Sequence, residues 1–254
     1  IEHSGDSSYL VDYGLEVLIA LSRFWRQRVN YSEAKQKFVI LGVTGPNEYE
    51  NNVNNNWYTN KVAVWTMKYT IDCIDTVKSS DPDSYRELVE RTSFNETMEI
   101  TEWKEISSNM FFPRDEERDI FLQQEGYLDK LQQTAADIKP EERPVNQHWS
   151  WDRILRSCFI KQADVLQGLY FFEEEYDTET IRRNFDFYEP RTLHESSLSP
   201  SIYSIMASRT GNVDRAYELY LRTARLDIDD FNKEVKEGLH ITSMAGTWLS
   251  IVEG

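Results

Sequence analysis

Three short stretches of this chain concentrate side chains able to do chemistry. The first, TGPNEYENNVNNNW (residues 44–57), holds six asparagines and two glutamates, interleaved with Tyr49, Val53 and Trp57. Thr44, Gly45 and Pro46 break regular structure and set a turn, so Glu48 is expected at a loop tip and not on a helix face. A carboxyl flanked by Trp57 and Tyr49 can have its pKa raised by apolar neighbours and act as a general acid. The plain alternative is a solvated loop glutamate. Side-chain amides both donate and accept, as the reading of sugar hydroxyls requires, and Trp and Tyr offer faces for a ring to stack on. Asn55 and Trp57 are therefore expected to contact a carbohydrate; the competing role for Asn54 or Asn55 is a helix cap.

The second stretch is FIKQADVLQGLYFF (159–172), where Lys161 and Gln162 sit among Phe159, Ile160, Val165, Leu166 and Leu169. A lysine rarely enters such surroundings without a partner. Either its stem snorkels to the surface or, with the neighbouring amide at an element boundary, the pair contacts a ligand. The third stretch, YEPRTLHESSLSPS (188–201), brings Arg191, Thr192, His194, Ser196, Ser197 and Ser199 to the start of a helix near Pro200. Helix N-termini favour anions, and hydroxyls, a histidine and an arginine around one are suited to phosphate. An N-cap with surface serines is the alternative. EGLHITSMAGTW (237–248) is similar in kind, with His240, Thr242, Ser243 and the pair Gly246 and Thr247 as further donors.

These residues need a scaffold, and the chain reads as helical. Its 254 residues, 40% hydrophobic, suffice for one large core or two modest ones. Apolar spacing predicts helices over 7–29, following a capping signal at Asp6, Ser7 and Ser8, and over 54–78. Asp81 and Pro82 open another, as N-cap and first helical residue. Further helices are expected at about 99–109, 150–172, 178–185, 199–209, 213–224 and 242–252. KFVILGV and FLQQEGYL are the only short strand candidates. Gly and Pro are scarce, no linker is evident, and a single helical domain is expected, with function carried on its long connections. No fixed repeat period is present, which disfavours a solenoid of near-identical units.

Lys and Arg total 28 against 44 Asp and Glu, a net charge of −16, which argues against nucleic acid or an anionic membrane as partner. Cys73 and Cys158 lie in apolar helical contexts and read as buried free thiols, in keeping with a reducing cytoplasm. No apolar run approaches a membrane span, no signal peptide is evident, and no metal site is read from the sequence. The start IEHSGDSSYL, without an initiating Met, suggests a piece of a longer chain.

Taken together and in this order, GVTGPNEYENNVNNNWYTN, KQADVLQ, HESSLSPSIYSIMAS and EGLHITSMAGTW resemble glycoside hydrolase family 65 over essentially all 254 residues. The first motif is most similar to the members acting on maltose, in preference to those acting on kojibiose, nigerose or trehalose. The resemblance implies an all-α chain that is part of an (α/α)6 barrel, with helix-connecting loops at one end forming the sugar pocket. It implies inverting phosphorolysis of an α-glucoside, giving β-glucose 1-phosphate and glucose, with inorganic phosphate as co-substrate and no cofactor. Glu48 falls on the family's general acid, and Lys161 and Gln162 on the pair contacting the donor glucose. His194, Ser196 and Ser197, with a loop at Gly246 and Thr247, fall on the phosphate region. A homodimer is expected on the family's precedent alone. The family's N-terminal β-sandwich, earlier barrel helices, Trp-Asp element and C-terminal β domain have no counterpart in these residues, so the 254 residues alone are expected to lack activity.

The residue chemistry is compatible with that picture. An inverting hydrolase needs a second carboxyl, about 6.5–9.5 Å from the acid, to activate water. A phosphorylase needs instead donors and positive charge for an anion that is already a nucleophile. Glu195, next to His194, is a candidate base and keeps hydrolysis open; a helical sugar-binding scaffold without catalysis is the third reading.

Overall fold

The computed structural model describes residues 8–254, so Asp6 and Ser7 of the expected capping signal lie outside the described residues. The chain is helical, as its periodicity predicts, and divides into two compact units: residues up to Leu41 with Thr59–Phe111, and Gly42–Tyr58 with Phe112–Gly254. No helix among the described residues is long and apolar enough to cross a membrane.

In the first unit, α1 (Leu15–Arg28) follows a wider turn at Leu10–Gly14, then a hairpin of β1 (Asn30–Ser32) and β2 (Lys37–Val39) pairs Asn30 with Val39. Three helices follow: α2 (Trp57–Ser80), whose first two residues belong to the second unit, α3 (Pro82–Thr92) and α4 (Glu96–Asn109). The cap read at Asp81 is present, its carboxylate accepting from Ser84 N–H at 3.0 Å. Helices α1 and α2 bury Leu15, Ile19, Met67 and Ile74, with Ser22 donating to Thr70 Oγ1 at 2.8 Å. A bidentate pair from Arg23 to Glu99, at 2.7 and 2.8 Å, ties α1 to α4.

The second unit carries the three chemical stretches. After the short hairpin β3 (Arg114–Asp115) and β4 (Ile120–Phe121) come irregular chain and short turns, then α5 (Val145–His148) and α6 (Trp151–Arg156). Helices α7 (Val165–Phe171), α8 (Thr178–Tyr188), α9 (Ser199–Arg209), α10 (Val213–Ala224) and α11 (Ile241–Val252) complete it. Of the two strand candidates, KFVILGV holds β2 and FLQQEGYL supplies only the end of β4 before a 3-10 turn at Tyr127–Asp129.

One expected helix is broken. The span 150–172 forms α6 and α7 separated by extended chain, because the backbone there is captured by neighbours distant in sequence. Cys158 N–H donates to Leu131 O (3.2 Å), Ile160 N–H to Arg191 O (3.1 Å), and Leu193 N–H to Ile160 O (2.8 Å). Cys158, Phe159 and Ile160 are all buried, and a short apolar run buried on both sides reads alike as helix or strand. This pairing lays Lys161 and Gln162 beside the segment leading into His194.

The core of this unit gathers Trp57, Tyr127, Ile160, Leu166, Leu169, Phe185, Tyr188 and Tyr203. Helix α9 is buried along nearly its whole length. Its small residue Ser201 meets Gly246 of α11, where an added Cβ would lie 2.7 Å from Ser201 Cβ. Cys73 and Cys158 are buried free thiols.

Candidate functional site

The asparagine run is an internal scaffold. Val43 and Val53 exchange backbone hydrogen bonds at 2.9 Å and close the loop that contains Glu48. Asn52 and Asn55 sit at φ +52° and +53°, left-handed conformations that asparagine tolerates better than most residues. Asn47 Oδ1 accepts from Tyr49 N–H (3.2 Å) and Lys161 N–H (3.0 Å), while its own backbone N–H donates to Asp164 Oδ2 (3.1 Å). Asn56 Nδ2 donates to Asp164 Oδ1 (3.0 Å) and to Gln123 O (3.1 Å). The density of asparagine reflects tight turns and an inner polar network, since each buried polar group needs a partner.

Glu48 stands exposed at the tip, and Lys161 Nζ pairs with its Oε2 at 2.5 Å. Gln162 is buried, and its Nε2 donates to Pro46 O at 2.8 Å. The structure thus brings the first two sequence motifs together. It does not offer the expected sugar-stacking ring: Trp57 is 1% exposed, stacked on Phe121 at 4.8 Å and flanked by Phe112 and Tyr176. Nor does Asn55 meet a ligand, being fully buried with Nδ2 donating to Glu125 Oε2 at 2.9 Å. Both expected substrate contacts are corrected to structural roles. The indole is too large to leave outside a core that it completes, and the amide is consumed inside the loop.

A cavity of about 380 Å³ adjoins Lys161, its other walls including Arg143, Asn146, Glu195, Arg222 and Phe231. Glu195 Oε2 accepts from the Tyr49 hydroxyl (2.5 Å) and from Val145 N–H (3.0 Å), while its Oε1 is buried without a partner. Burial and the bond to Glu195 raise the Tyr49 phenol, so it remains a donor. Arg222 donates to His194 O at 2.7 Å and lies 4.5 Å over the Phe231 ring. Burial, then the like charges of Arg143 and Arg215, bring its pKa down to about 10, which leaves it cationic at neutral pH.

His194 is buried, with Nδ1 at 2.8 Å from Ser199 Oγ and its ring edge-on to Tyr203. Burial, followed by Arg222, Arg215 and Arg143, holds its pKa well below the ordinary imidazole value. His194 is therefore a neutral ring, and positive charge on this side comes from arginines. Ser196 and Ser197 are half-buried in the turn leading to α9, and Ser196 Oγ accepts from Leu198 N–H at 3.2 Å. Gly246 and Thr247 are not a loop but interior residues of α11. Gly246 permits the close α9–α11 crossing, and Thr247 Oγ1 donates back to Ser243 O at 2.8 Å. Gly246 nonetheless borders a second cavity, of about 200 Å³, shared with Pro46, Gln162, Ser201 and Thr242.

Among the described residues, the buried atoms without hydrogen-bond partners include Gln162 Oε1, His194 Nε2 and Glu195 Oε1 on these motifs and Arg222 Nε on α10. Leaving such a group unpaired costs about 1–3 kcal/mol. A polar ligand that draws these side chains into new bonds would recover part of it.

Asp164, Arg143 and Arg222 were not singled out from the sequence. Asp164 had a usable signal, since it is a charge among apolar residues in the same stretch as Lys161. It is 2% exposed, and burial raises its pKa to about 7 against the hydrogen bonds from Asn47 and Asn56. Arg143 and Arg222 carried no comparable signal, lying in an irregular segment and in an ordinary amphipathic helix. Gly45 belongs to the same cluster: an added Cβ would meet Asn56 Nδ2 at 2.4 Å and Asp164 Oδ2 at 2.6 Å. Gly45→Ala is expected to cost about 1–3 kcal/mol by overpacking, read as a lowered denaturant midpoint; an unchanged midpoint would contradict this packing.

Comparison with known proteins agrees with the family resemblance read from the sequence. The family model described as the glycosyl hydrolase family 65 central catalytic domain matches residues 1–249. Maltose phosphorylase of Bacillus subtilis (strain 168) is 52% identical over 254 residues, covering 100% of this chain and 32% of that protein. Alpha,alpha-trehalose phosphorylase of Thermoanaerobacter brockii is 39% identical over 255 residues, covering 100% of this chain and 33% of that one. Among solved structures, a putative kojibiose phosphorylase from human microbiome matches with a TM-score of 0.89 and 38% identity, over 98% of this chain and 34% of its own. The fold is accordingly all-α and that of part of an (α/α)6 barrel. This chain spans about a third of the length of these relatives. With its four motifs in order and its helical scaffold matched, the chain belongs to glycosyl hydrolase family 65, in the central catalytic domain.

Proposed function

We propose that residues 1–254 supply the acid-bearing part of an inverting phosphorylase that cleaves maltose with phosphate, giving β-glucose 1-phosphate and glucose. The observation that carries this reading is the pairing of an exposed loop-tip carboxyl, Glu48, with Lys161 at the edge of a cavity walled by Arg143 and Arg222. In a chain of net charge −16, that concentration of cations favours an anion as the second reactant.

Glu48 protonates the glycosidic oxygen as the bond to the anomeric carbon breaks, and phosphate attacks that carbon from the opposite face. Lys161 must exchange its bond to Glu48 for the sugar, which frees the acid to act. Gln162 turns its unpaired Oε1 to a sugar hydroxyl. Phosphate is held by Ser196, Ser197 and the arginine charge, with neutral His194 offering one ring nitrogen. Glu195 has one oxygen engaged by Tyr49 and Val145, which disfavours its use as a water-activating base.

Maltose is preferred over other α-glucosides because of the first motif and the 52% identity to a maltose phosphorylase. The full-length protein is expected to act as a homodimer. Incubation of the full-length protein with maltose, with and without phosphate, tests the reading: glucose and β-glucose 1-phosphate are expected only with phosphate. Equal glucose release without phosphate would establish the hydrolase, and no cleavage in either arm a sugar-binding scaffold. A parallel panel of trehalose and kojibiose checks the linkage.

A further inference from the structure

We propose that Asp164 is the positioning residue for the general acid, its carboxylate fixing through Asn47 the turn that presents Glu48 opposite Lys161. This rests on the reading of Glu48 given above, and nothing in that reaction uses Asp164 itself. The carboxylate lies inside the loop, 2% exposed, and accepts from the backbone N–H of Asn47, the residue directly before Glu48, at 3.1 Å. From the other end of the same loop Asn56 Nδ2 reaches both of its oxygens, at 3.0 and 3.2 Å. Gly45 leaves the space through which this approach is made.

Asp164 is also three residues beyond Lys161, whose own N–H is held by Asn47 Oδ1 at 3.0 Å. Asn47 therefore receives Asp164 on its backbone and Lys161 on its side chain, and the two loops share one register. Their side chains meet at the tip, in the 2.5 Å pair of Glu48 and Lys161. Among the described residues no cation is paired with Asp164: its partners are the backbone amide of Asn47 and the side-chain amide of Asn56. A carboxylate buried without a countercharge is costly, and apolar or amide residues would fill the space more stably. Retaining it makes sense where orientation is worth more than stability, and small displacements of an acid cost up to about 100-fold in rate.

The test uses the full-length protein with Asp164→Asn, which keeps the shape but removes the charge and sets an amide donor against Asn56 Nδ2, and with Asn56→Ala, which deletes the side chain holding both Asp164 oxygens, should the first variant fail to fold. Turnover is compared on maltose and on 4-nitrophenyl α-glucoside, each with phosphate. The aryl leaving group needs little protonation, so a fault confined to acid placement spares it. Turnover on maltose is expected to fall roughly 10- to 100-fold, with KM within a fewfold of wild type and the aryl glucoside nearly unaffected. Equal losses on both substrates, or no loss on maltose, would overturn the proposal. Hydrogen exchange of residues 44–50 is read alongside and is expected to quicken at least about tenfold while α9 stays protected. Wild-type exchange rates in the variant would overturn the tether whatever the activity. If the unmodified protein splits neither substrate, the phosphorylase reading fails by itself, and exchange still decides whether Asp164 holds the loop.

Discussion

Glu48→Gln in the full-length protein is expected to lower turnover on maltose and phosphate by roughly 10²- to 10⁴-fold, the usual contribution of a positioned general acid. The amide matches the carboxyl in shape but cannot deliver a proton to the departing glucose. The loop should survive the change. Its geometry is fixed by the backbone pairing of Val43 with Val53 and by the bonds of Asn47 and Asn56 to Asp164, none of which involves the Glu48 side chain. Among the described residues the bond lost is the ion pair to Lys161, with Glu48 largely exposed, and such pairs contribute at most about 1 kcal/mol. The expected signature is thus a large fall in kcat with little change in thermal stability. Near-normal turnover would remove Glu48 from the chemistry and leave the loop with a binding role only.

Trp57 gives the largest expected effect on stability. The sequence places it beside the acid and suggests a sugar platform, whereas the structure seats it in the core of the second unit. Phe121 stacks on the ring, Phe112 and Tyr176 flank it, and Gly168 of α7 approaches so closely that a Cβ there would lie 2.5 Å from the indole. Trp57→Ala should cost about 3–5 kcal/mol, the range for deleting a large buried aromatic ring. Since about 1.4 kcal/mol is a factor of ten in an equilibrium constant, that shifts the folded-to-unfolded ratio by roughly two to three and a half orders of magnitude. Trp57→Phe keeps much of the packing and is expected to leave the KM for maltose within about twofold. A sharp rise in KM with an unaltered denaturation midpoint would restore the ring to the sugar site.

Much of the architecture is local and therefore legible in the chain itself. Apolar spacing marks α9, α10 and α11 to within a residue, although α9 is buried almost throughout and α11 buries Ser243, Gly246 and Ser250 while Trp248 and Ile251 stay exposed. The cap at Asp81 and the turn before Glu48 follow from side-chain chemistry within a few positions. A candidate site was legible too, through loops rich in groups suited to sugars and anions. Which residues perform there was less so, since burial and partnership are set by segments far apart in sequence. Glu48 meets Lys161 across 113 positions, and Asn47 meets Asp164 across 117. Only that folding makes a lysine the partner of the proposed acid, an aspartate the proposed tether of its loop, a histidine a neutral ring and an arginine the nearby positive charge. The same asparagines that read as a sugar surface became internal struts because their amides found buried partners before reaching solvent. Composition and periodicity determined the helices and their loops; tertiary contacts decided which loop side chains were consumed in building the site and which were left to act in it.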